Sequence, residues 1–210
     1  MLINPARGSG PLELSATLVK DRPRRVSLVD PDGKPVVGAW TIGLTAYPHD
    51  SEPLLRDASL VLTKLHPARV RRITFIKAYP PLVGFLLARG DADIPYTVRM
   101  QPCGTVTGRI VDETGKPLKA SLSTADTSRE AEADLGVGMF HAVGTDAEGR
   151  FRIDSLVPGQ RYSAKIELQM GQPARVAFKN LILRAGEARD LGDIRTEPSA
   201  HAESTKESRK

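Results

Sequence analysis

The sequence predicts an all-β protein built as two tandem antiparallel β-sandwich domains of about seven strands each. Three observations predict it. An internal repeat recurs with a period of 82 residues, apolar residues alternate with a period of two after each copy, and no segment longer than about ten residues has helical periodicity. Short strands separated by turn signals every 8–12 residues or so are typical of sandwiches.

The two copies of the repeat are VDPDGKP, which begins at Val29, and VDETGKP, which begins at Val111. The difference between 111 and 29 is 82, and five of the seven aligned positions are identical. So long a period indicates duplicated domains, since short-repeat solenoids have units of about 20–50 residues. We expect a divergent first sandwich over residues 12–102 and a second over 103–196, between a flexible N-terminus (1–11) and a disordered polar tail (197–210).

Each copy of the repeat has the chemistry of a tight turn. Gly33 and Gly115 can adopt a positive φ, and the side chains of Asp30 and Asp112 can cap the turn. The extra carboxylate of Asp32 also suggests a calcium loop. Calcium takes about 6–8 oxygen ligands, and neither copy supplies enough of them. We therefore predict turns and no metal site here.

The strand after the first turn carries the only tryptophan. Apolar and small residues alternate over residues 36–46, which is typical of a half-buried strand. This pattern places Trp40 on the core face, where its twin one period later is Leu122, so we predict a core residue; the alternative is a platform for a ligand. Two further candidates for such a platform are Tyr47, on the other face of the strand, and Tyr79, beside a pair of prolines.

A second pair of signatures in the later copy carries a family resemblance. GRIVDETGKPLKA and TDAEGRFRIDSLVPGQRY together resemble the carboxypeptidase-regulatory-like domain family, which has a transthyretin-like, starch-binding-like sandwich. The resemblance covers residues 104 to about 196 and, in the first copy, residues 29–39. It implies a spacer, an adhesion module or a carbohydrate-binding appendage of a larger, mostly bacterial protein. The matched residues are Gly108, Asp112, Gly115, Pro117, Thr145, Asp146, Gly149, Phe151, Leu156, Pro158, Gly159 and Tyr162.

Composition excludes two classes of function. The strongly apolar run at residues 82–88 is far shorter than the roughly 20 residues that a bilayer span needs, so we expect no membrane insertion. The net charge of +5 suggests nucleic acid, but aromatic residues are only 5% and do not alternate with the basic clusters, so we predict no nucleic-acid partner. We expect these clusters to be solvated: Arg22, Arg24 and Arg25, then Arg69, Arg71 and Arg72.

The sequence contains no nucleophile elbow, no phosphate-binding loop and no zinc-protease signature. His49 and Glu52 fit H-x-x-E, but one such match carries little weight in a chain with four histidines. Cys103 is the only cysteine and has no histidine close in sequence, so we expect a small packed residue. We predict no enzyme activity, no cofactor and no metal.

The sequence therefore predicts a structural spacer or protein-interaction domain pair, with a protein or polysaccharide partner. The alternative is a carbohydrate-binding module that stacks sugar on Trp40, Tyr47 or Tyr79. A third interpretation makes the chain an appendage of an enzyme or regulator on another segment or subunit. The start, MLINPARGSG, has no apolar stretch for a signal peptide, so we expect the cytoplasm if Met1 is the true start, and the cell surface or periplasm if the chain is a fragment.

Overall fold

The computed structural model describes residues 22–44, 54–67, 69–91, 95–127, 141–168 and 174–196. These residues form strands and no helix, which confirms the predicted all-β class. Tyr47, the H-x-x-E segment, the N-terminal residues 1–11 and the tail at 197–210 lie outside them. The first seven strands are β1 (Arg24–Val29), β2 (Trp40–Ile42), β3 (Ser59–Leu62), β4 (Arg71–Lys77), β5 (Leu82–Ala88), β6 (Tyr96–Arg99) and β7 (Gln101–Pro102). The next seven are β8 (Gly104–Val111), β9 (Ser121–Asp126), β10 (His141–Gly144), β11 (Arg150–Leu156), β12 (Arg161–Glu167), β13 (Arg175–Ile182) and β14 (Ala188–Arg195).

The strands form four sheets, two from each half of the chain. The first sandwich has the strand orders β3-β1-β6 and β2-β4-β5-β7, and the second has β11-β8-β14 and β10-β9-β12-β13. Most neighbouring strands are antiparallel. In each sandwich one pair is parallel, β1 with β6 and β8 with β14. The prediction of two tandem sandwiches is confirmed.

Each sandwich has its own apolar core between its two sheets. In the first, Leu28 of β1 and Phe75 of β4 are fully buried in one cluster. In the second, Ile110 of β8 and Ile166 of β12 hold the corresponding places. Burial of one side chain of this size stabilises a fold by about 1.5–3 kcal/mol. Core residues alternate with more exposed ones along β1, β9 and β12, whereas β4 and β5 are buried at consecutive positions.

The predicted turns form, and the same geometry occurs three times. The carboxylate Oδ1 of Asp30 accepts hydrogen bonds from the backbone amides of Asp32 at 2.9 Å and Lys34 at 2.8 Å. Gly33 has a φ of 85°, which a residue without a Cβ adopts freely. Each turn is thus fixed by one aspartate. The same pair of bonds runs from Thr114 and Lys116 to Asp112, and from Glu148 and Arg150 to Asp146.

The connection between the repeated turn and the next strand is one residue longer in the first copy. Val36 and Leu118 hold equivalent places, because the amide of each donates to the strand before the turn at 3.0 Å. Thr41 and Leu122 are also equivalent, because each is buried opposite a fully buried residue of the neighbouring strand. Thr41 follows Val36 by five positions, whereas Leu122 follows Leu118 by four.

Gly38 lies within this longer connection and has a φ of 74°, a conformation rare for other residues. Because side chains alternate along a strand, one extra residue turns every following side chain to the opposite face. Trp40 is consequently 51% exposed, and the prediction that it is a core residue is wrong. Its structural counterpart in the second copy is Ser121 rather than Leu122.

Candidate functional site

Four large apolar side chains are exposed on the first sandwich near the start of β2. We call Val37, Trp40, Leu54 and Tyr79 the apolar corner; their exposed fractions are 47%, 51%, 45% and 88%. Large exposed apolar groups that lie together on a soluble domain mark interaction sites more often than scattered ones do. The apolar corner is therefore the candidate binding surface of the described chain.

Backbone pairing brings these residues to one end of a sheet. The amide of Leu55 donates to the carbonyl of Ala39 at 2.9 Å, which places Leu54 beside the start of β2. Trp40 lies opposite Ile76 of β4, and the Lys77 ammonium donates to the carbonyl of Val37 at 2.6 Å. Tyr79 follows two residues later, in the turn from β4 to β5. The sequence thus delivers all four side chains from three separate segments.

The second sandwich shows that the fold does not require apolar residues at these positions. Val37 follows Val36 as Lys119 follows Leu118, and Trp40 corresponds to Ser121. Leu54 corresponds to Gly144, because the residues after them, Leu55 and Thr145, donate equivalent backbone hydrogen bonds to Ala39 and Ala120. Lysine, serine and glycine therefore stand where the first sandwich exposes valine, tryptophan and leucine.

Two of the three aromatic residues that the sequence singled out, Trp40 and Tyr79, are thus exposed at the same end of one sheet. Tyr47 lies outside the described residues. Sequence reasoning missed Val37 and Leu54. The one signal for them was their apolar character on either side of a turn-rich segment.

A second feature is the junction between the sandwiches, which is closed by a very short connection. Strand β7 pairs with β5 of the first sandwich, and Gly104 begins β8 of the second, so Cys103 alone lies between. The amide of Cys103 donates to the carbonyl of Pro81 at 3.2 Å. The amide of Gly186, from the second sandwich, donates to the carbonyl of Pro102 at 3.0 Å.

Apolar residues from both sandwiches meet at this junction. Val83, Cys103 and Val157 are buried together, and this confirms the expectation that Cys103 is a packed residue. Trp40, Ile76 and Val83 stand opposite one another across β2, β4 and β5, so they share one face of the sheet. The apolar corner therefore lies at the margin of the face that the second sandwich covers. The partly buried members of the cluster are Ile42, Ile76 and Phe85.

One ion pair is buried across the junction. The Nη1 atom of Arg72 lies 2.8 Å from Oδ2 of Asp126, and their side chains are 5% and 0% exposed. The guanidinium carbon of Arg72 is also 4.7 Å from the centroid of the Phe85 ring, a cation–π distance. The expectation that the basic clusters are solvated is wrong for Arg72 and for Arg24, because both are buried.

Tyr162 lies close to this ion pair. Its hydroxyl accepts a hydrogen bond from the backbone amide of Val157 at 2.9 Å, and this bond fixes the loop that contributes Val157 to the junction. Burial raises the pKa of Tyr162 above its ordinary value; the Val157 bond and the Arg72 charge lower it, and the Asp126 charge raises it further. The phenol therefore stays neutral and acts as a structural anchor.

The described residues offer little for chemistry. A surface depression of about 260 Å³ in the second sandwich is bordered by Arg109, Phe151 and Asp193. Arg109 lies 3.6 Å from Asp193 and donates to the carbonyl of Glu148 at 3.0 Å, so its charge is already engaged. Over the described ranges no three histidine, cysteine or acidic side chains are grouped to hold a metal ion. Nor is there, within those ranges, a helix with the length and apolarity that a membrane crossing requires.

No protein-family model and no curated protein matches the chain. Among solved structures it is similar to the dioxygenase domain of a dioxygenase carbohydrate-binding protein fusion from Streptomyces sp. SirexAA-E, with a TM-score of 0.35 and 16% identity, over 47% of this chain and 82% of that one. A streptococcal ancillary pilin gives a TM-score of 0.29 and 15% identity, over 85% of this chain and 63% of that one. The shaft pilin SpaA from Lactobacillus rhamnosus GG gives a TM-score of 0.31 and 14% identity, over 86% of this chain and 99% of that one. Similarities this remote carry no functional information.

Proposed function

We propose that the chain is a non-catalytic accessory module, a rigid pair of sandwiches that serves as a spacer and presents the apolar corner to a protein partner. The buried junction carries this proposal. Domains of one chain move relative to each other by default unless their interface is well packed and apolar. Here the connection is one residue long, and an ion pair and an apolar cluster are buried beside it.

The ion pair makes the junction specific as well as tight. Two buried charges lose hydration, and their attraction compensates only when the geometry is kept. A rotation that separates Arg72 from Asp126 would leave the buried Arg72 charge without its carboxylate, so one relative orientation is favoured. Such a pair holds its two ends at a fixed distance, which is the property a spacer needs.

Residual dipolar couplings of backbone amides test the rigidity. We expect one alignment tensor to fit both sandwiches of the native chain. Asp126→Ala should separate the two tensors, whereas the matched control Asp193→Ala, which removes an exposed ion pair with Arg109, should not. Two different tensors in the native chain would overturn the spacer proposal.

A second candidate function is polysaccharide binding, favoured by the exposure of Trp40 and Tyr79. Aromatic rings with a free face stack on the apolar face of sugars. Affinity gel electrophoresis against a panel of soluble polysaccharides tests it, with Trp40 emission followed in parallel. Retardation that is lost in Trp40→Ala and kept in Val176→Ala, a matched exposed apolar residue of the second sandwich, would support it. Absence of retardation across the panel would leave the protein partner.

We propose further that both sandwiches are carboxypeptidase-regulatory-like domains, divided at residues 12–102 and 103–196. The threefold aspartate turn and the equivalent pairing of β1 with β6 and of β8 with β14 support this relationship. An experimental structure of a family member tests it. The strand orders β11-β8-β14 and β10-β9-β12-β13 should recur there, and a different order would contradict the assignment.

A further inference from the structure

The outer edge of β13 differs from that of its counterpart in the first sandwich. In the part of the chain that the structure describes, β13 ends the order β10-β9-β12-β13 and no strand pairs with its far side. The equivalent strand β5 is covered there by β7, with Val83 opposite Gln101 and Leu82 opposite Pro102. The same position of the fold thus accepts an added strand in the first sandwich and has none among the described residues of the second.

This outer edge is strongly basic. Glu167 is the only acidic residue on β12 and β13. Among the described residues none of the cationic side chains here is in an ion pair, although Arg161 reaches the side-chain oxygen of Asn180 at 3.5 Å. Apolar side chains stand between the charges, since Val176 and Ile182 are 50% and 42% exposed. The cationic residues are Arg161 and Lys165 on β12, Arg175 and Lys179 on β13, and Arg184 just after β13.

The charges decide which partner the edge accepts. Lysine and arginine on an edge strand repel the same edge of another copy, which disfavours pairing between two β13 strands. An incoming strand with acidic side chains would instead gain favourable cross-strand pairs. The pairing of β12 with β13 shifts register near Ala164, and Asn180 has a φ of 57°, so the regular part of the edge is short.

We propose that β13 is an acceptor edge for β-strand addition by a short extended segment of a partner protein that carries acidic residues at alternate positions. Backbone hydrogen bonds to β13 supply the attraction, and the exposed side chains of Lys165 and Lys179 select the charge. This inference goes beyond the proposed function, because it adds a partner at a second surface. It involves neither the junction nor the apolar corner, so it can fail while the spacer proposal stands.

The first test uses a fluorescent heptapeptide of alternating glutamate and valine with the full chain. We expect saturable binding by fluorescence anisotropy and amide shift changes in NMR spectra that centre on residues 175–182. A peptide with N-methyl groups on alternate backbone nitrogens keeps the charges but cannot pair as a strand, and it should bind at least tenfold more weakly. Equal binding of the two peptides, or shifts centred elsewhere, would overturn the proposal.

Charge variants provide the second test. Lys165→Glu combined with Lys179→Glu should weaken binding of the acidic peptide at least tenfold and allow binding of the lysine–valine counterpart. The matched control Arg25→Glu reverses an exposed charge on β1 and should leave binding unchanged. Trp40→Ser, at the apolar corner, should also leave it unchanged, so a failed corner is distinguishable from a failed edge. A dimer formed through β13 in the absence of peptide would contradict the choice of an acidic partner.

Discussion

The Asp126 carboxylate lies 2.8 Å from the Arg72 guanidinium across the boundary between the two sandwiches, and both side chains are buried. None of the three guanidinium nitrogens of Arg72 has a hydrogen bond of regular geometry among the described residues, so the close contact with Asp126 is the main compensation for its charge. Arg72 comes from β4 and Asp126 from the end of β9. The relative placement of the sandwiches thus depends on two residues far apart in the sequence.

Loss of one member of this pair should be severely destabilising. Asp126→Ala leaves the Arg72 charge buried and unpaired, and removal of one partner of a buried pair typically costs about 3–5 kcal/mol. Urea unfolding measures the loss. The double variant Arg72→Met with Asp126→Leu should recover much of it, because apolar residues of similar size suit the surrounding cluster. A loss below about 1 kcal/mol in the single variant would show that the pair is solvated.

Two turn glycines should differ in their tolerance of alanine. Gly115 and Gly149 both have positive φ, which costs an L residue about 1–2 kcal/mol. A Cβ at Gly115 would meet nothing within 4 Å, but at Gly149 it would lie 2.5 Å from the carbonyl oxygen of Ile110. We expect Gly115→Ala to cost about 1–2 kcal/mol and Gly149→Ala about 1–3 kcal/mol more, because the backbone must shift. Equal losses of unfolding free energy for the two variants, measured in urea, would show that the contact with the Ile110 carbonyl does not matter.

Trp40 should behave as a surface residue. Acrylamide should quench its fluorescence efficiently in the folded chain, because half of the side chain is exposed. Trp40→Ser, which installs the residue of the second copy, should cost less than about 1 kcal/mol. Phe75→Ala, the core comparison, should cost about 3–5 kcal/mol. Weak quenching, together with a large loss of unfolding free energy in Trp40→Ser, would show that this residue is in the core.

Asp112 should give the chain part of its resistance to acid. A hydrogen bond from the Thr114 hydroxyl and another from the Lys116 amide lower the pKa of Asp112 below its ordinary 3.8. A group with a lower pKa in the folded state stabilises above the unfolded value, and this stability is lost as the pH falls through the folded value. Asp112→Asn should therefore lower Tm at pH 6 and reduce the further fall of Tm between pH 5 and pH 2.

Glu113→Gln is the matched control for this pH dependence, since Glu113 is an exposed neighbour outside the turn's hydrogen bonds. It should leave the fall of Tm with pH as in the native chain. If Asp112→Asn also retained the full fall, the Asp112 carboxylate would not be the acid-sensitive group. The pKa of Asp112 can be followed directly through the carboxyl carbon by NMR.

The sequence predicted what depends on local chemistry. The Asp–Gly turns could be inferred because one aspartate and one glycine determine each turn within five residues. The same reasoning failed at Trp40, because a strict shift of 82 residues cannot reveal the additional residue near Gly38. Strand β3 was also missed, since SLVL is too short and too uniformly apolar to show alternation.

The junction could not be predicted for a different reason. Arg72 belongs to a basic cluster that resembles a solvated strand face, and nothing near it in the sequence distinguishes it from Arg71. Its burial results from contact with Asp126, and that contact exists only once both sandwiches have formed. The position of β13 at the end of its described sheet likewise depends on the order of the strands. The sequence of a single strand does not indicate that order.

The placement of β7 also bears on how this chain can be inherited. Gln101 and Pro102 complete a sheet of the first sandwich, and Gly104 opens a strand of the second. A genetic recombination event within this stretch would remove an edge strand from the first sandwich or the first strand from the second. Although the two halves repeat the same aspartate turn and the same parallel strand pairing, a cut between them here damages one of the two folds. We therefore expect recombination to preserve the halves as a pair.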